Sequence, residues 1–154
     1  MKKTTFLLAL LAIVSCTIKE KKIDYSVDDC ARCKMKLMDQ RYGCEIVTSK
    51  GKVFTFDAIE CMIPYLKTDK IMQAGTAFTL VTPYTNPGTL INAESAYYLH
   101  SAKLPSPMGA FLTAFIDKET AISFQTKNGG EVYSWDQLFN NFKEIRSTEL
   151  VTND

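Results

Sequence analysis

The sequence predicts an α+β fold of two small, similar lobes, each an antiparallel sheet with a packed helix. Three observations carry that prediction. Gly51-Lys52-Val53-Phe54-Thr55-Phe56-Asp57-Ala58-Ile59 aligns with Gly130-Glu131-Val132-Tyr133-Ser134-Trp135-Asp136-Gln137-Leu138: a glycine turn, a strand, an aromatic residue, an aspartate, then a helix. Each copy follows a further strand candidate, Cys44 to Thr48 in the first and Ala121 to Thr126 in the second. A chain of 154 residues, 46% hydrophobic and 23% charged, is ordinary globular material with enough apolar side chains for one core or two very small ones. The organisation this gives is a lipoprotein signal peptide at 1–15, a lipid anchor and flexible tether at 16–29, a first lobe at 30–104 and a second at 105–154.

At the N-terminus, Lys2 and Lys3 form a positive region, Phe6 to Val14 an apolar one, and Ile13-Val14-Ser15-Cys16 sets a small residue directly before a cysteine. That is the pattern of a bacterial lipoprotein leader, cleaved before Cys16, which then carries the lipid. The apolar run is too short to cross ~30 Å of hydrocarbon. Thr17 to Val27 is polar, lysine-rich and aperiodic, which suits a tether. The expected location is the periplasmic side of a bacterial membrane, held by N-terminal lipid. The chain has 18 basic and 17 acidic residues, and without Lys2 and Lys3 the balance is 16 to 17. Such a balance provides no footprint for nucleic acid.

Asp28 and Asp29 offer a cap or turn ahead of Cys30-Ala31-Arg32-Cys33-Lys34-Met35, a segment readable as helix or loop. Tyr42 to Ser49 alternates as a strand, Lys50-Gly51 supplies a turn, and Lys52 to Phe56 returns as the hairpin partner. Asp57 is placed as an N-cap, with Glu60 completing a capping box. The helix it opens, to about Leu66, carries Ile59, Met62, Ile63 and Leu66 at core spacing, with Pro64 demanding a kink or a short first turn. Phe78 to Tyr84 is a strand ended by Asn86-Pro87-Gly88, and Ala93 to His100 reads as a short helix or turn. Leu104-Pro105-Ser106-Pro107 forces an extended loop that delivers Met108-Gly109.

The chemistry concentrates in sulfur. Cys30, Cys33 and Met35 place two thiols and a thioether within six residues, a density that suits a soft metal such as Cu(I). A thioether cannot be lost to a disulfide and carries no proton, so a mixed Cys and Met site can hold copper in an oxidising compartment. Zinc fits less well, because thioether is a poor zinc ligand and a second Cys-x-x-Cys or His pair is missing. Met108, presented on a proline-rich turn, is the second candidate ligand, and His100, eight residues earlier, a further one. Met38, Met62 and Met72 lie in apolar patterns and read as packing. Cys44 and Cys61 read by default as buried small hydrophobes, although either could join the metal site or pair with the other. A rival reading makes Cys30 and Cys33 the active pair of a lipid-anchored thiol–disulfide oxidoreductase, with Arg32 and Lys34 lowering a thiolate pKa. It lacks the strand-to-helix context that such a pair needs.

In order along the chain, Cys16, Cys30-x-x-Cys33-x-Met35, the Gly51 to Phe56 strand running into Phe56-Asp57-Ala58-Ile59-Glu60-Cys61-Met62, Pro107-Met108-Gly109, and Gly129-Gly130 through Trp135-Asp136 resemble the NosL family of periplasmic copper lipoproteins. The resemblance implies a carrier rather than an enzyme, with Cu(I) held by a cysteine of the first motif, Cys30 or Cys33, and by Met108. It implies delivery to nitrous oxide reductase, in denitrification, through that enzyme's ABC-type membrane maturation complex. Two positions depart from the family's pattern: Lys34, where glycine is usual, and Cys44.

Overall fold

The computed structural model describes residues 17–148; the predicted leader and Cys16 lie outside them. Strand β1 (Cys44–Thr48) pairs with β2 (Val53–Phe56) across a turn in which Gly51 takes φ +78°. All five residues of β1 are buried, because β3 (Thr76–Val81) pairs with its other edge and makes it an inner strand. The two-residue strand β4 (Ile91–Asn92) completes an antiparallel sheet of order β2-β1-β3-β4. Helices α1 (Ile59–Leu66) and α2 (Asp69–Ala74) lie between β2 and β3 in the chain, and α1 buries Ile59, Met62 and Ile63 as their spacing predicts. The second sheet has the order β6-β5-β7, with β5 (Tyr97–His100) between β6 (Leu112–Phe115) and β7 (Glu131–Ser134), again antiparallel. Helix α3 (Lys118–Asn128) connects β6 to β7, and α4 (Trp135–Asn140) and α5 (Phe142–Ser147) follow. The α+β class and the two antiparallel sheets are thus as predicted, and the repeated strand-to-helix unit recurs as β2–α1 and β7–α4.

The copies differ in detail. Ala121–Thr126, expected as a strand, lies inside α3, because Asp117 accepts a hydrogen bond from the Thr120 amide (2.7 Å) and Gly129, at φ +68°, closes an eleven-residue helix. The strand it would have supplied comes from β5, and only Ala93–Ser95 of the region read as helix or turn is helical. The second sheet therefore begins at Tyr97, on the first-lobe side of the boundary drawn at 104. In α4 the cap is Ser134, which accepts from the Gln137 amide while Gln137 reaches back to the Ser134 amide.

The two sheets share one apolar core. Phe56, Ile59, Met62 and Ile63 from the first copy pack with Tyr98, Leu112, Trp135 and Leu138 from the second. A smaller cluster of Leu99, Leu104, Phe115 and Ala121 lies where α3 covers the second sheet.

The expected tether needs correction from Lys21 onward. Ile23 is buried, Tyr25 packs so closely on Gly43 that a side chain there would collide with it, and Asp28 accepts from both the Asp24 amide (2.8 Å) and Lys21 Nζ (2.6 Å). Two apolar anchors and an aspartate turn are enough to dock a segment whose composition is otherwise polar. The Lys21 amide also donates to Oε1 of Glu45 (2.9 Å), a carboxylate fully buried in the middle of β1.

Burial pushes the Glu45 carboxyl up from 4.5 to about 7, with the Lys21 amide pulling the other way. Between these two values the folded chain holds a proton that the unfolded chain has released. The stability this group contributes is therefore present below pH 4.5 and lost as pH rises through about 7. Glu45→Gln is expected to raise stability at pH 8 by on the order of 1–3 kcal/mol relative to the parent and to leave it unchanged near pH 4. Thermal melts at the two pH values check this, and an equal difference at both would contradict it.

Candidate metal centre

Residues 28–36 form a closed loop, not a helix. Asp29 and Lys36 make an antiparallel bridge, the Cys30 amide donates to the Met35 carbonyl (2.8 Å), and the Lys34 amide donates to the Cys30 carbonyl (3.0 Å). The loop is fastened to β2 at one residue: the Ala31 amide donates to the Thr55 carbonyl (2.8 Å) and Thr55 Oγ1 donates to the Asp29 carbonyl (3.1 Å). Lys34 sits at φ +68°, in the left-handed region.

This loop brings Cys30 and Cys33 against the junction where β2 ends and α1 begins. The Sγ atoms of Cys30, Cys33 and Cys61 and a carboxylate oxygen of Asp57 all lie within 4.8 Å of one another. Cys30 and Cys61 are fully buried, Asp57 is nearly so, and Cys33 is partly exposed, its thiol donating to Asp57 Oδ1 at 3.7 Å. All four cysteines among the described residues are free thiols.

The predicted capping box does not form. Helix α1 is capped by Ala58 without a side-chain hydrogen bond, because both acidic residues are used elsewhere. Asp57 turns to the thiols. Glu60, 1% exposed, reaches into the second half of the chain and accepts at Oε1 from Ser106 Oγ, the Met108 amide (3.3 Å) and the Ala110 amide (3.5 Å). Ser106 in turn accepts from the Phe111 amide (2.9 Å), so the turn carrying Met108 is fixed at both ends. Met108 is half-buried and packs on the main core.

Among the thiols of the cluster, the charge is favoured at Cys30. The Cys30 thiol is pulled down to about 4, chiefly by the thiol of Cys61 donating to it, with the amides of Cys33, Asp57 and Arg32 assisting. Cys61 moves up for the same reason, because it is the donor, and burial adds to the shift. Burial also raises Cys33. The Asp57 carboxyl rises to about 6 through burial and the neighbouring Cys30 charge. A thiolate beside protonated thiols can exchange their protons for a cation. Sulfur ligands around a single ion with bonds of ~2.3 Å stand about 3.8 Å apart, so these donors need to contract by only an ångström or less. Three thiols and a carboxylate admit a soft ion such as Cu(I) and also a borderline one such as zinc.

Of the residues singled out in the sequence, Cys30 and Cys33 enter this cluster directly. Met35 is exposed, and it lines a groove of about 470 Å³ together with Met38, Asp57 and the Pro105–Pro107 edge of the Met108 loop. His100 is buried at the end of β5, outside the group that gathers around Cys30, and burial lowers its pKa. Met62 packs in the core as read, but Met38 and Met72, also read as packing residues, are exposed, since their apolar neighbours in sequence face the core without them. Cys44 is buried in β1 and donates to the Tyr42 carbonyl (3.2 Å). Cys61 is the residue that its default reading missed. The available signal was the comparison of copies: Asp57 matches Asp136, but Cys61 falls opposite Asn140, a divergence one helical turn after a retained aspartate.

The NosL family model matches residues 23–142. The crystal structure of the copper chaperone NosL from Shewanella denitrificans aligns with a TM-score of 0.68 and 22% identity, covering 79% of this chain and 96% of that one, a likeness of fold. No curated protein sequence matches the chain.

Removing the Glu60 carboxylate takes this acceptor from three donors, the buried Ser106 hydroxyl and Ala110 amide and the partly buried Met108 amide. Glu60→Ala is expected to lower stability by about 2–4 kcal/mol and to abolish slow hydrogen exchange at the Met108 and Ala110 amides. Exchange rates unchanged at these two amides would contradict the assignment.

Proposed function

Because the chain belongs to the NosL family, we propose that it is a membrane-tethered carrier of Cu(I) that delivers copper for the assembly of nitrous oxide reductase. The observation that carries this reading is the gathering of Cys30, Cys33, Cys61 and Asp57 within 4.8 Å at the base of the helix whose Glu60 also holds the Met108 loop. Thiolate and thioether together select a soft, reduced ion over hard cations. The name of the Shewanella protein, a copper chaperone, supports the same metal. In this reading Cys30 and Cys61 are the buried anchors and Cys33, partly exposed, is the ligand that an incoming thiol or thioether displaces. Met108 completes the coordination from the second half, while Met35 stands at the rim. Copper then leaves by ligand exchange, without catalytic turnover. The lipid on Cys16 holds the carrier beside the ABC-type maturation complex on the periplasmic side, raising its effective concentration there. The client enzyme follows from the family resemblance.

The oxidoreductase reading is less well supported. A lowered Cys30 pKa would suit a nucleophile. But Cys30 is fully buried in a closed loop and does not stand exposed at a helix start.

The reduced protein is expected to bind one Cu(I) in competition with a chromogenic chelator and to prefer it to zinc. Cys61→Ser and Met108→Leu should each weaken Cu(I) binding by about tenfold or more, and Cys44→Ser should leave it nearly unchanged. Tighter binding of zinc, or copper affinity indifferent to Cys61 and Met108, would contradict the assignment, and robust insulin reduction would favour the enzyme.

A further inference from the structure

The charge balance of the whole chain is even, yet one face is not. A cleft of about 810 Å³ opens between Arg32 of the Cys30–Cys33 loop, the end of α1 and helix α5. Arg32, Lys67, Lys143 and Arg146 line it, all exposed, against a single acid, Glu144. Among the described residues none of these four cations lies within ion-pairing distance of a carboxylate; the ion pairs present are Lys21–Asp28, Lys36–Asp29 and Arg41–Asp39, elsewhere on the surface. Lys67 is held in place through its Nζ on the Phe139 carbonyl (2.5 Å) and over the Phe139 ring (4.5 Å), contacts that leave its charge unneutralised by any described residue. Pro64 and Phe142 supply an apolar wall, and Asn140 an amide. The volume is that of a ligand cleft, large enough for a few residues of extended chain.

The position is as informative as the charge. Arg32 immediately precedes Cys33, the one thiol of the cluster that is not fully buried. Through Arg32 the cleft reaches the loop that carries Cys33, the thiol assigned above to ligand exchange. A concave, basic, partly apolar surface beside an exchangeable ligand fits a peptide segment better than a flat layer of lipid headgroups. We propose that this cleft docks an acidic segment of the protein that exchanges copper with the Cys30–Cys33–Cys61 site. The proposal rests on the carrier reading above. Electrostatic complementarity of this kind governs encounter rate and orientation more than affinity, which suits a partner that must leave after transfer.

The test uses the full-length protein in detergent micelles and a fluorescein-labelled hexaglutamate peptide as probe, read by fluorescence anisotropy at low salt. The peptide should bind, Lys143→Glu/Arg146→Glu should weaken binding by about tenfold, and the control Lys50→Glu/Lys118→Glu, on other faces, should change it by less than about twofold. Four results would overturn the proposal: no binding of the peptide; equal losses in the cleft and control variants; binding of short-chain phosphatidylglycerol at the cleft in place of the peptide; or tightening by Glu149→Gln/Asp154→Asn, which would make the chain's own C-terminal acids the occupant. Cu(I) affinity is measured in the same samples. Peptide binding without Cu(I) binding sinks the carrier reading and leaves the cleft, whereas Cu(I) binding without peptide binding does the reverse.

Discussion

The hydrogen bonds at the Glu60 carboxylate join the two halves of this molecule where its chemistry lies. A buried carboxylate is costly to desolvate, and burial raises the pKa of Glu60 accordingly. Ser106 Oγ and the amides of Met108 and Ala110 offset that cost only while the Met108 turn stays in place. The residue that follows Glu60 is Cys61. One turn of α1 therefore sets both a thiol of the cluster and the backbone of the remote methionine, and neither can move far without the other. The shared core beneath, in which α1 packs with residues of the second sheet, makes that coupling rigid.

The cluster balances its charge among its own side chains. Charge is favoured at Cys30, and the thiols of Cys61 and Cys33 and the carboxyl of Asp57 hold their protons to higher pH than they would in water. A cation that enters replaces those protons, so the buried site exchanges one form of charge balance for another. The loop that delivers Cys30 and Cys33 is closed by its own backbone and pinned to the edge strand at Thr55. Its two thiols are thus held in place by the backbone, which would reduce the ordering that metal binding requires.

Much of this was readable in the residues, and the exceptions have physical causes. The β1–β2 hairpin and the core face of α1 followed from alternation, the glycine at position 51 and helical spacing. Ala121–Thr126 misled because so short a mixed run has no strong period of its own, and its helical fate was set by Asp117 and Gly129 at the ends. The Asp57–Glu60 pair has the form of a capping box, but tertiary partners, the thiols and the Met108 loop, took both side chains. Beyond its divergence from Asn140 in the second copy, Cys61 is marked by the fold, which brings chain segments thirty residues apart together. Lys34 is the converse case: the sequence marked it as a departure from a usual glycine, and the structure explains the preference, since φ +68° costs a residue with a side chain about 1 kcal/mol. Its Nζ, bonded to the Ala31 carbonyl (2.8 Å), returns part of that.

The central claim is that Glu60 serves copper binding by holding Met108. A double-mutant cycle on Cu(I) affinity tests it, using Glu60→Gln, Met108→Leu and the two combined, with folding of each variant confirmed beforehand. If Glu60 acts through Met108, its substitution weakens copper binding in the parent and has almost no further effect once the thioether is gone. If the two losses simply add, the carboxylate acts on the site by another route and the joint described here is not what couples the halves.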